Sequence, residues 1–91
     1  MKLQQLRFLA AVAQNDLNIT AAASKLCTTQ PAVSKQLRLL EDELGFNIFV
    51  RSGRTLAKIT PPGERVVQCA MRFLREAANI KGVSAEFKDE N

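Results

Sequence analysis

Thr28, Thr29, Gln30, Ser34, Lys35 and Arg38, with Pro31 and Ala32 among them, bring side chains able to make directional polar contacts into one segment. Hydroxyl, amide, ammonium and guanidinium groups follow one another over eleven positions, with small residues between them. Pro31, Ser34, Lys35 and Arg38 are separated by 3, 1 and 3 residues. If the segment is helical, they share one face. Val33, Leu37, Leu40 and Leu44, spaced 4, 3 and 4, then share the opposite one. A face that is small at its start and basic further along fits the major groove of DNA. Ser and Gln can bond base edges there, and Lys and Arg can pair with phosphates or guanine. Thr28, Thr29 and Gln30 stand where the helix begins, and its free N–H groups favour an anion. The plain alternative is a solvated helix, since polar residues oppose an apolar stripe on any surface helix.

Two arginines further on extend the candidate surface. Ile48–Arg51 reads as a strand, Ser52-Gly53-Arg54 as a turn and Leu56–Thr60 as the return strand, with Leu and Ile facing one way and Ala and Lys the other. Arg51 and Arg54 flank the tip and can reach a DNA backbone or minor groove. Arg51 has a second reading, its stem packed on the core and its head paired to an acid.

Other elements must hold these residues. Leu6, Leu9, Ala13 and Leu17 mark a first helix from Leu3 to about Gln14, broken at Asn15-Asp16. Asn18 or Thr20 can cap a short Ala-rich helix from Ala21 to about Leu26. The groove-facing helix follows, with Pro31 in its first turn and Gly45 at its end. Thr60 and Pro61 cap and open a last helix, expected to run to about Lys81, with Gly82 interrupting it and residues 83–91 frayed. Val66, Ala70, Phe73, Ala77 and Ile80, spaced 4, 3, 4 and 3, suggest a heptad-like dimer seam on that helix.

Composition narrows the class. Ninety-one residues make one domain. The net charge of +4 is concentrated centrally: Lys25, Lys35, Arg38, Arg51, Arg54 and Lys58 lie between Leu17 and Thr60 against the acids Glu41, Asp42 and Glu43. Those acids sit at the far end of the groove-facing helix, where negative charge opposes the helix dipole. A partner among the bases of the same domain would explain them. Histidine is absent, and Cys27 and Cys69 lack metal-ligand spacing, so no metal or other cofactor is expected. The two thiols are expected buried or half-buried. With no nucleophile–base pair and no phosphate-cradling Gly loop, an enzyme is not expected. No apolar run is long enough for a membrane span. The start, Met1–Gln5, lacks the apolar stretch of a secretory signal, which predicts a cytoplasmic protein.

Ala21–Leu26 followed by Thr29–Gln36 resembles the LysR-type transcriptional regulators, as do Leu40-Glu41 with Glu43-Leu44-Gly45, Ile48-Phe49 with Arg51, and Thr60-Pro61 with Gly63. The resemblance covers about residues 1–80. A narrower one, to members that regulate sulfur assimilation and cysteine biosynthesis, rests on Met1–Arg7, on Ser34-Lys35-Gln36 running into Leu40–Gly45, and on Arg51-Ser52-Gly53. Ala32 and Cys27 depart from that narrower pattern, which has Gly and Tyr there. The resemblance implies a mostly α fold: a winged helix-turn-helix (a three-helix core plus a two-stranded wing) followed by a long linker or dimerisation helix. The expected layout is residues 1–60 for the DNA-binding unit, with helix-turn-helix 19–38 and wing 48–60, and 61–91 for the linker helix and tail. It implies promoter DNA and a homodimer as partners, and a tetramer only in a longer protein. It also implies a small-molecule inducer, an acetylated serine, bound only by a larger effector domain expected to be absent here. The rival expectation is a winged-helix interaction module that dimerises without reading sequence.

Overall fold

The computed structural model describes residues 1–88. Its elements run α1 (Leu3–Gln14), α2 (Ile19–Lys25), α3 (Gln30–Leu44), β1 (Phe49–Ser52), β2 (Thr55–Ile59) and α4 (Pro61–Phe87). The mostly α winged helix-turn-helix is therefore present, with a long helix behind it.

Local chemistry sets most boundaries. Asn18 caps α2, its side chain accepting from Ala21 N at 2.9 Å. The helix starts at Ile19, two residues earlier than expected. Thr29 caps α3 through Ala32 N, and Gly45 ends it in the left-handed region at φ 83°. Leu6, Leu9 and Val12 of α1, Ala22 and Ala23 of α2, and Val33, Leu37 and Leu40 of α3 meet in one core. Ile48 and Phe49 close it from below the wing, and Val67 and Ala70 of α4 close it from the side.

The link between α2 and α3 carries strain. Thr28 N donates to Ala23 O at 3.0 Å and Cys27 N to Ser24 O at 3.2 Å, the two bonds of a Schellman ending. The residue between them must be left-handed, and Cys27 takes that position at φ 57°. A left-handed residue with a Cβ costs about 1–2 kcal/mol, partly offset by the chain entropy that glycine would lose. Cys27→Gly is therefore expected to stabilise the domain by about 0.5–1 kcal/mol, raising the melting temperature by a few degrees. Thermal unfolding checks this, and an unchanged or lower midpoint would contradict it. Cys27 and Cys69 are both exposed, which corrects the expectation of buried thiols.

β1 and β2 pair antiparallel, and the register slips between Val50/Lys58 and Arg51/Leu56, leaving Ala57 as the extra residue of a bulge. The bulge lets Leu56 and Ile59, three apart, both turn towards the core. On β1 the simple alternation puts Phe49 and Arg51 inward and Val50 and Ser52 outward.

α4 begins where expected. Thr60 Oγ1 accepts from Gly63 N at 3.0 Å and donates to Asn47 O at 2.6 Å. The helix does not stop at Gly82 but continues to Phe87. One glycine costs about 1 kcal/mol relative to alanine, too little to end a helix without a proline or cap beside it. Residues 83–87 are thus helical rather than frayed; residues 89–91 of that expected tail lie outside the described residues. Twenty-seven residues span about 40 Å. Only the first half packs on α1. The second half projects, and the molecule measures 56 × 26 × 20 Å. No helix among the described residues is long and apolar enough to cross a membrane.

Candidate nucleic-acid interface

Three fixings hold α3 with its polar face outward. Its Val33, Leu37 and Leu40 are buried in the core. At its middle, it meets the buried Gln5 of α1, whose Oε1 accepts from Lys2 N at 2.9 Å and whose Nε2 donates to Gln36 Oε1 at 3.2 Å. One amide thus caps α1 and braces α3. At the far end Glu41 is 5% exposed, and its carboxylate accepts from Ile48 N at 2.7 Å, Phe49 N at 3.2 Å and Arg51 Nη2 at 2.7 Å, with Nη1 at 3.3 Å. This buried charge ties α3 to the first residues of the wing. Glu43 instead meets the N-terminal amino group at 2.6 Å, an exposed pair of little energetic weight.

The face so presented carries most of the expected residues. Thr29, Gln30, Pro31, Lys35 and Arg38 are exposed, and Thr28, Ala32 and Ser34 are half-buried. Ser34, Lys35 and Arg38 are not covered by other parts of the fold. A cleft of about 310 Å³ between α3 and the wing tip is lined by Gln30, Pro31, Ser34, Arg38, Gly53 and Arg54. Gly53 at φ 62° makes the tight turn that brings Arg54 to the cleft. Lys35, Arg38 and Arg54 have no ion-pair partner among the described residues. Three free cations around the N-terminal half of one helix give a surface suited to a polyanion with readable edges.

The structure places two groups of expected residues differently. Arg51 does not join the cleft. Strand alternation turns it inward, and its guanidinium is occupied by Glu41. Ala70, expected in the dimer seam, is 2% exposed within the chain's own core, and Val66 packs against that core. Phe73 and Ile80 are exposed, and Ala77 is half-buried. Gln5, Gln36 and Glu41 were missed as positioning residues. Glu41 had a signal, an acid placed against the helix dipole; Gln5 and Gln36 had none.

Residues 3–64 match the family model for bacterial regulatory helix-turn-helix proteins of the lysR family. The chain belongs to that family. It is 44% identical over all 91 residues to the HTH-type transcriptional regulator CysB of Haemophilus influenzae, covering 28% of that regulator's length. It is 43% identical over 91 residues to the HTH-type transcriptional regulator SsuR of Burkholderia cenocepacia, covering 30% of it. The chain thus spans less than a third of these lysR-family relatives. Its fold is shared with the BenM DNA-binding domain in a crystal structure with benA site 1 DNA (TM-score 0.88, 33% identity, 100% of both chains). It also matches full-length OxyR from Pseudomonas aeruginosa (TM-score 0.90, 35% identity, 98% of this chain and 30% of that one). This lysR-family chain therefore has the winged-helix fold of the DNA-binding domains found in transcriptional regulators.

Proposed function

We propose that this chain recognises specific double-stranded DNA as a symmetric dimer and serves the regulation of sulfur-assimilation and cysteine-biosynthesis genes. The supporting observation is the cleft shared by α3 and the wing tip, whose cations have no ion-pair partners among the described residues. Gln30, Ser34 and Arg38 reach base edges, with Pro31 and Ala32 allowing close approach. Thr28, Thr29 and the α3 N-terminus hold a phosphate, Lys35 a second one, and Arg54 the backbone or minor groove beside the wing. Arg51 acts through Glu41, fixing the wing rather than touching DNA. The sulfur-gene assignment rests on the similarity to regulators named CysB and SsuR. We assign an acetylated serine as inducer, and assembly into tetramers, to a larger effector domain rather than to these residues.

Binding of Lys35→Ala and Arg38→Ala to a promoter duplex and to a scrambled duplex tests the reading. Arg38→Ala is expected to cost about 1–3 kcal/mol on the promoter and less on scrambled DNA. Lys35→Ala is expected to weaken both alike and to reduce the slope of log affinity against log salt by about 1. Unchanged binding of both variants would remove this face from the interface. Equal wild-type affinity for the two duplexes would favour the non-reading interaction module.

A further inference from the structure

A groove between α1 and α4 has no residue of α3 or of the wing in its lining, so it is separate from the cleft described above. Arg7, Ala10 and Ala11 form one wall and Met71, Leu74 and Arg75 the other, each set at i, i+3 and i+4 along its helix. The recess holds about 490 Å³. The two alanines keep its floor low. Met71 and Leu74 are half-buried and leave part of their apolar surface open to solvent. Gln14 Nε2 donates to Met71 Sδ at 3.6 Å and holds the thioether in the wall.

The charges on its walls are unbalanced. Arg7 and Arg75 are exposed, one on each wall, and neither has an ion-pair partner among the described residues. Neither has an acid three or four residues away on its own helix, and no acid lines the recess between them. Two cations beside one apolar floor suit a ligand that is acidic at its edges and apolar at its centre. We infer that the groove docks an acidic helical segment of a second protein. Its apolar side chains lie over Ala10, Ala11, Met71 and Leu74, and its carboxylates reach Arg7 and Arg75.

Spacing, composition and position favour this occupant. A helix laid in a groove anchors itself at i, i+3 and i+4, and two walls with that same spacing are its complement. A nucleic-acid backbone would satisfy the arginines but leave the thioether and leucine surface unused. Met71 and Arg75 lie roughly half a turn around α4 from Phe73 and Ile80, so pairing through that other face leaves the groove open. The docking therefore stands apart from the reading of DNA by α3.

Fluorescence anisotropy with a labelled synthetic helical peptide, leucines at i, i+3 and i+4 flanked by glutamates, tests the docking. The wild-type chain is expected to bind it. Serine in place of the leucines should weaken binding at least about tenfold, and glutamine in place of the glutamates at least about fivefold. Arg7→Gln and Arg75→Gln together should also weaken the glutamate peptide at least about fivefold and leave the glutamine peptide unaffected. Both side chains are exposed, so the fold is retained, which circular dichroism checks. The salt slope of DNA binding should not change in the double variant. No binding of the glutamate peptide tighter than about 1 mM, or equal binding of the glutamine peptide, would overturn the inference. A DNA salt slope reduced by about 1 or 2 in the double variant would make these arginines phosphate contacts and overturn it in favour of nucleic acid. Weakened self-association of the double variant in sedimentation equilibrium would overturn it in favour of a second copy of the chain.

Discussion

Glu41→Ala is expected to lower the unfolding free energy by about 3–5 kcal/mol, a large part of what a domain of this size has. The carboxylate is buried and satisfies two backbone N–H groups and both ends of one guanidinium. Alanine removes every acceptor at once. Ile48 N and Phe49 N then stay buried without partners, and Arg51, 23% exposed at its side chain, keeps an unpaired charge. Water can reach the arginine more easily than the two amides, so the amides carry most of the cost. Urea unfolding measures the loss. DNA affinity should fall with it, because the wing and Arg54 are no longer held against α3. Arg51→Ala makes the complementary case. It should cost less stability, since Glu41 keeps its backbone donors, and it should leave the salt slope of DNA binding unchanged. A normal fold with a salt slope reduced by about 1 would instead make Arg51 a phosphate contact.

Gly63→Ala should cost about 3 kcal/mol, the upper end of the penalty for overpacking. A Cβ at Gly63 would fall well inside contact distance of the Ile48 carbonyl oxygen, and 2.9 Å from the carbonyl carbon. Those atoms cannot withdraw. Ile48 N is held by Glu41 and Ile48 O accepts from Thr60 N at 2.9 Å. The first turn of α4 must move instead, breaking the Thr60 bonds to Gly63 N and Asn47 O. Gly82 is the matched control. It lies in the same helix with nothing within 4 Å of its would-be Cβ. Gly82→Ala should stabilise the chain by about 0.5–1 kcal/mol. The two midpoints in urea should thus move in opposite directions, and a shift in the same direction would refute the close-approach argument.

Both predictions come from contacts that no local pattern contains, which marks the division between the two sources of information. The helices, their caps at Asn18, Thr29 and Thr60, the glycine stop at Gly45 and the outward polar face of α3 follow from periodicity and from short-range hydrogen bonding. These are local properties, so the order of residues determines them. The family was legible for the same reason, since its motifs are runs of neighbouring residues. Arg51 against Arg54 was not. Both are arginines beside a turn, and strand alternation together with the distant Glu41 sends one inward and leaves the other at the cleft. Nor was the division of α4 between core and solvent. Its apolar residues cover two faces, and only the position of α1 shows that Ala70 is taken by the core while Val83 and Phe87 remain uncovered. Sequence fixes which way a side chain points from its own helix or strand; what stands in that direction is decided when the elements pack.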